Sequence, residues 1–245
     1  MDIESVAVVG GGVMGTGIAQ LLARNGCRVT IREVDESAAD AAWDRLVSGS
    51  YGLEDAVAGG HLSEDDLEAT LERVTVTTSL PAALEGTDIV VEAVDEDLAL
   101  KGQVFRELDE HSETVPLFSN TSGFSVQAIA NAVEDPGRVA VTHFFNPVPV
   151  MDLVEVVRGA STSAETLAAA EALAERMDRT AIVVEDDPTS YGFVANRCYG
   201  ALRREAEAIV DAGIATPEQV DTALERGFNL PVGPFSLRGI GEEWD

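Results

Sequence analysis

Lysine is almost missing from this chain. Lys101 stands alone among 16 cationic side chains, the rest being arginine, and these face 44 aspartates and glutamates over 245 residues for a formal net charge of −28. A field of that sign repels nucleic acid and anionic membrane surfaces, so neither is an expected partner. Cysteine is sparse as well. Cys27 and Cys198 lie in no CxxC pair and no metal-ligand spacing, which predicts no disulfide framework and no metal site, only buried thiols in a reduced cytoplasm. Long apolar runs are absent: none approaches the roughly 18 residues that a membrane-spanning helix needs. The opening MDIESVAVVGGG carries no basic region ahead of its strand-like run, so no signal peptide is expected. What remains is 45% hydrophobic and 24% charged, an ordinary globular core under an acid-rich coat. Such a coat suits a salt-rich cytoplasm, where counter-ions screen self-repulsion.

Residues 3–9 (IESVAVV) predict a strand that ends in Gly10-Gly11-Gly12. Residues 13–25 then read as a helix closed by Asn25-Gly26, and 28–34 (RVTIREV) as a second strand. This β-turn-α-β unit opens a Rossmann-type α/β fold, a doubly wound and mostly parallel sheet. A helical hairpin insertion follows over 36–72, with a turn-rich stretch at 50–60 and a helix begun by Ser63, where Asp66 makes an acidic capping box. Further strands are expected at 74–77, 88–93, 115–119, 139–143, 153–157 and 180–184, with helices at 98–111, 126–133 and 164–177. Beyond Glu185-Asp186-Asp187-Pro188 only helices remain, at 199–212 and 217–225, the last started by Thr216 as N-cap and Pro217 at the first helical position. The expected division is a sheet domain at 1–185 and a small all-α C-terminal domain at 186–245.

Gly10-Gly11-Gly12-Val13-Met14-Gly15 fits GxGxxG between a strand and a helix. Gly10 permits the turn, Gly12 admits a pyrophosphate to the backbone, and Gly15 allows close packing of helix on strand. Glu33 ends the second strand, where a carboxylate takes both ribose hydroxyls and repels a 2′-phosphate, which selects NAD over NADP. A glycine-rich turn followed by an unrelated surface acid is the plainer alternative. A second group of polar residues, Ser119-Asn120-Thr121-Ser122, follows one strand, and His143-Phe144-Phe145-Asn146-Pro147 leaves another. Both fall where doubly wound sheets bind ligands. His143 is either a general base or a core histidine with a satisfied ring. Glu155, inside the apolar LVEVV, is either a buried partner that fixes a histidine tautomer or an acid on an exposed sheet edge.

These segments, VVGGGVMGTGIAQ (8–20), DIVVEAVDEDLALKGQVFRELD (88–109), FSNTSGFSVQAIA (118–130), HFFNPVPVMDLVEVV (143–157), GFVANR (192–197) and VGPFSL (232–237), resemble the 3-hydroxyacyl-CoA dehydrogenase family, close to its 3-hydroxybutyryl-CoA members. The resemblance implies that His143 is the catalytic base and Glu155 the acid that orients it. It implies that Ser122 bonds the substrate oxygen and that Asn196 lies beside the reacting carbon. Glu33 becomes the ribose-binding acid, Glu96 and Lys101 lie near the nicotinamide ribose, and Asn146 makes another cofactor contact. The competing reading of Lys101 is a solvated charge at a helix start. Three features depart from the family. Tyr191 replaces the usual proline before the GFxxNR glycine, LRGIGEEWD (237–245) replaces a pattern of paired leucines followed by aspartate, and the helical domain is shorter than usual. Nor does the hairpin show a basic cluster for CoA phosphates, Arg45 being the one candidate. The implied activity is reversible NAD-dependent oxidation of (3S)-3-hydroxyacyl-CoA to 3-oxoacyl-CoA by a homodimer. Two other readings stay open: a dehydrogenase for a free 3-hydroxy acid of sugar-acid or carnitine type, and a non-catalytic nucleotide-binding protein.

Overall fold

The computed structural model describes residues 2–237. Its β-branched runs form β1 (Ser5–Val9), β2 (Arg28–Arg32), β3 (Val74–Thr77), β4 (Ile89–Glu92), β5 (Leu117–Ser119), β6 (Val139–Phe144), β7 (Leu153–Arg158) and β8 (Thr180–Glu185). They make one eight-stranded sheet in the order β3-β2-β1-β4-β5-β6-β7-β8. β1 to β6 are mutually parallel, β7 pairs antiparallel with β6, and β8 runs parallel to β7. The reversal has a local cause: the connection 145–152 is too short for the crossover that a parallel neighbour requires. Chain direction across the sheet switches between β1 and β4. The crevice at their carboxyl ends is where such sheets take ligands.

The helices follow their caps. α1 (Val13–Arg24) begins at Gly12, and α2 (Glu36–Ser48) at Asp35, which accepts from the Ala38 amide at 2.8 Å. The stretch read as turn-rich contains a short helix, α3 (Leu53–Ala58), because Leu53 is wholly buried and anchors it to the core. α4 (Glu64–Leu71) is capped by Ser63 as expected, but the box is only half formed: Ser63 Oγ accepts from the Asp66 amide, while the Asp66 carboxylate accepts from the Ser63 hydroxyl at 2.6 Å and not from its backbone amide. A second unforeseen helix, α5 (Leu80–Leu84), is short and proline-bearing, with Ser79 as N-cap. α6 (Leu98–His111) starts at Asp97, α7 (Val126–Ala130) follows β5, and α8 (Ala164–Arg176) joins β7 to β8.

One core runs through this assembly. Ile3, Val8, Ile18, Leu22, Ile31, Val91, Phe118, Phe144, Val154 and Leu173 are buried in a single cluster. Fully burying each such side chain contributes about 1.5–3 kcal/mol before the ordering entropy is set against it. The chain divides into two compact units between Tyr191 and Gly192. The first reaches beyond residue 185 because its last segment is tied back to it. Ser125 Oγ donates to Asp186 Oδ2 at 2.6 Å, and the Tyr191 ring meets Phe124 edge to face at 5.7 Å.

The second unit contains α9 (Val194–Asp211) and α10 (Pro217–Phe228). α10 begins with a complete capping box between Thr216 and Gln219 behind Pro217, as its sequence requires. Tyr199 and Arg203 of α9 both donate to the Pro234 carbonyl. The departure from family pattern at 237–245 lies almost entirely outside the described residues.

Candidate active site

The first part of the site is the β1–α1 turn. Gly10 has φ +100°, a conformation that disfavours a side chain, and a Cβ there would lie 2.7 Å from the Ala93 carbonyl oxygen. At Gly15 a Cβ would lie 1.8 Å from the Gly10 carbonyl oxygen, so strand and helix close only around glycine. Gly12 is the opposite case. It is exposed, and a Cβ there would meet nothing within 4 Å. That open backbone at a helix N-terminus is the cradle a pyrophosphate fills. Val13 is 53% exposed, whereas Met14 turns toward the core.

Glu33 follows β2, with Oε1 accepting from the Gly11 amide at 2.6 Å and Oε2 from the Val34 amide at 3.0 Å. The carboxylate is thereby fixed beside the glycine turn, where it suits a ribose diol and opposes a 2′-phosphate. Turn, open Gly12 and fixed carboxylate together fit NAD. Arg45, the lone candidate for CoA phosphates, donates instead to the Gly11 carbonyl at 2.6 Å and so braces the turn.

The second part lies across β6 and β7. His143 and Glu155 are direct antiparallel partners in the ladder, so their side chains emerge side by side. His143 Nδ1 and Glu155 Oε2 are 2.8 Å apart, with Glu155 wholly buried and the histidine side chain 6% exposed. β7 is interior to the sheet, which rules out the exposed-edge reading of Glu155. An ionised Glu155 favours the ring tautomer that carries its proton on Nδ1. The Phe145 ring lies 4.4 Å from the imidazole by centroids.

The third part surrounds Glu96, in the loop between β4 and α6. Its Oε1 accepts from Thr121 Oγ1 at 2.6 Å, the Ser122 amide at 2.9 Å, Tyr191 Oη at 3.1 Å and Ser122 Oγ at 3.2 Å. Its Oε2 faces Lys101 Nζ at 3.4 Å. Partial burial works against the Glu96 charge, but Thr121, Lys101, Ser122 and Tyr191 outweigh it and hold the carboxyl below its ordinary range. Lys101 is not a solvated helix-start charge. It is fully buried and bonds Glu92 Oε1 at 2.8 Å, while Ser119 Oγ donates to Glu92 Oε2 at 2.6 Å. An unbroken polar chain thus runs from Ser119 through Glu92, Lys101 and Glu96 to Ser122.

The structure therefore joins His143 with Glu155, Ser122 with Glu96 and Lys101, and the glycine turn with Glu33. Asn146 stands half-buried just beyond β6, and Asn196 half-buried in the first turn of α9 in the second unit. Glu92, Thr121 and Tyr191 were not assigned roles from sequence. Glu92 carried the same signal as Glu155, a carboxylate inside an apolar strand.

Residues 5–187 match the 3-hydroxyacyl-CoA dehydrogenase NAD binding domain, and residues 192–239 match the C-terminal domain of the same enzymes. The chain is 40% identical over 239 residues to a probable 3-hydroxybutyryl-CoA dehydrogenase of Bacillus subtilis, covering 97% of this chain and 80% of that protein. Among solved structures it is similar to the (S)-3-hydroxybutyryl-CoA dehydrogenase PaaH1 of Ralstonia eutropha, with 36% identity, TM-score 0.88, and coverage of 95% and 80%. A diketoreductase that acts on dicarbonyl compounds also superimposes, at 28% identity and TM-score 0.88, with coverage of 96% and 82%. With both family domains matched over most of its length and a relative 40% identical, the chain belongs to the 3-hydroxyacyl-CoA dehydrogenase family.

Proposed function

We propose that His143, Glu155, Ser122 and Asn196 carry the oxidation of a (3S)-3-hydroxyacyl-CoA to the 3-oxoacyl-CoA. The observation that carries this reading is the buried 2.8 Å contact between His143 and Glu155. His143 Nε2 takes the proton of the substrate hydroxyl. The resulting imidazolium is stabilised by the Glu155 carboxylate, whose own burial keeps water from screening the pair. Ser122 donates to the substrate oxygen from its position beside Glu96, and Asn196 orients the same group. Gly10, Gly11, Gly12, Val13, Met14 and Gly15 hold the cofactor phosphates, and Glu33 its adenosine ribose. Glu96, Lys101 and Asn146 serve its nicotinamide end. NAD, when bound, supplies the two-electron acceptor.

In the His143→Gln variant we expect NADH binding to persist, followed by fluorescence, while turnover falls about 10²–10⁴-fold, the usual worth of a positioned general base. Near-normal turnover would remove His143 from the mechanism.

A second reading keeps the chemistry and changes the substrate to a free 3-hydroxy acid. It is favoured by Arg45, whose guanidinium is committed to Gly11 rather than to a CoA phosphate. NADH oxidation with acetoacetyl-CoA, beside free acetoacetate, in concentrated KCl separates the two. Turnover of the thioester alone supports the acyl-CoA reading, and turnover of the free acid supports the other.

We also assign a homodimer. The second unit carries Ile214 at 75% and Phe228 at 77% exposure, large apolar side chains of the kind that interfaces cover.

A further inference from the structure

Tyr191 closes the first unit, and its hydroxyl reaches Glu96 Oε1 at 3.1 Å. That oxygen receives four donors: Thr121 Oγ1 at 2.6 Å, the Ser122 amide at 2.9 Å, Tyr191 Oη, and Ser122 Oγ at 3.2 Å. A carboxylate oxygen offers about two lone-pair sites, so the four donors compete. Thr121 is fully buried and makes the shortest contact, and the Ser122 amide is fixed by the backbone. The contest is therefore between two rotatable hydroxyls, Tyr191 and Ser122. The Ser122 hydroxyl makes the longest of the four bonds, and it also lies within hydrogen-bond reach of the Tyr191 phenol, so the two hydroxyls are directly coupled.

The Tyr191 ring is held for this contact by the same loop that carries Ser122. It meets Phe124 at 5.7 Å with an interplanar angle of 82°, and the segment before it is fastened where Asp186 accepts from Ser125.

We propose that Tyr191 is a positioning residue for the reaction: its hydroxyl occupies Glu96 Oε1 and so frees the Ser122 hydroxyl to donate to the substrate oxygen. This rests on the role given to Ser122 above. Without the phenol, the serine hydroxyl settles on Glu96 and must break that bond at every turnover.

The test is a double-mutant cycle on the full chain, read as steady-state reduction of acetoacetyl-CoA by NADH. Tyr191→Phe keeps the ring and its contact with Phe124 and removes one hydroxyl. We expect kcat to fall about ten-fold, the low end of the scale of one hydrogen bond to a charged group, with NADH affinity unchanged. In a Ser122→Ala background, which is itself slow, the same Tyr191→Phe change is expected to cost nothing further, because no serine hydroxyl is left to free. A Tyr191→Phe enzyme with wild-type kcat overturns the inference, as does an equal loss in both backgrounds, which marks Tyr191 as a general structural support. Undiminished turnover in Ser122→Ala alone overturns the premise and, with it, the role of Ser122, an outcome distinct from either of the other two.

Discussion

Glu92 at the end of β4 and Glu155 in β7 are both strand carboxylates with no solvent exposure, and each has a nitrogen 2.8 Å away. They differ in the partner. Glu92 faces Lys101, whose ammonium is enclosed and is further held by the Val94 carbonyl at 3.3 Å, so the pair supports the loop that carries Glu96. Glu155 faces the imidazole of His143, its direct partner across the β6–β7 ladder. The same arrangement of carboxylate and nitrogen thus binds a loop cation in one place and, in the role proposed for His143, serves an acid–base step in the other.

The sharpest way to break this comparison is to remove each partner in turn. Lys101→Met leaves the Glu92 carboxylate buried without its cation, and we expect about 3–5 kcal/mol of stability to be lost in chemical denaturation. His143→Gln leaves a hydrogen-bonding amide beside Glu155, so little stability should go while turnover collapses. Equal destabilisation by both changes would erase the distinction. Replacing both members of the first pair, as Lys101→Met with Glu92→Leu, is expected to restore only part of the stability: the apolar pair needs no charge compensation, but the Ser119 hydroxyl and the Val94 amide lose their acceptor. Turnover should stay impaired, because the Glu96 loop loses its cation.

Glycines sharpen the same division between scaffold and site. Gly15→Ala drives a Cβ against the Gly10 carbonyl and should lower the melting temperature by several degrees, whereas Gly12→Ala enters open space. We expect Gly12→Ala to melt like the parent and to bind NADH more weakly in a fluorescence titration, because the added methyl lies where the phosphates approach.

The smallest expected effect concerns Glu96. Its folded-state pKa is held below the ordinary value, so the unfolded chain takes up protons first as pH falls, and stability falls with it. Glu96 accordingly contributes stability that is present above the ordinary glutamate range and is lost as pH drops through its lowered folded pKa. The stability gap between wild type and Glu96→Gln should therefore narrow below about pH 4, the usual glutamate region, in denaturation curves taken across pH. A gap that widens toward acid would contradict the hydrogen-bonding scheme.

Much of this was legible without coordinates. The glycine turn, the ends of α6 at Leu98 and His111, and the caps Ser63 and Thr216 follow from local rules, because each depends on residues within one turn of the chain. The two short helices α3 and α5 were hidden for the complementary reason. At six and five residues they are too short to hold themselves by propensity, and packing around Leu53 and Leu80 makes them.

By itself the sequence determined the periodic strands and helices, the phosphate-cradling glycines and the suspicion attached to a carboxylate in an apolar strand. Only the tertiary structure decided how those carboxylates are used. The reversal of β7 sets His143 opposite Glu155, the fold encloses Lys101 between Glu92 and Glu96, and Tyr191 returns to the loop of Ser122. Hydrogen bonds between residues far apart in sequence leave no periodic trace in it. They are fixed by strand order and chain direction, which the packing of the whole sheet selects.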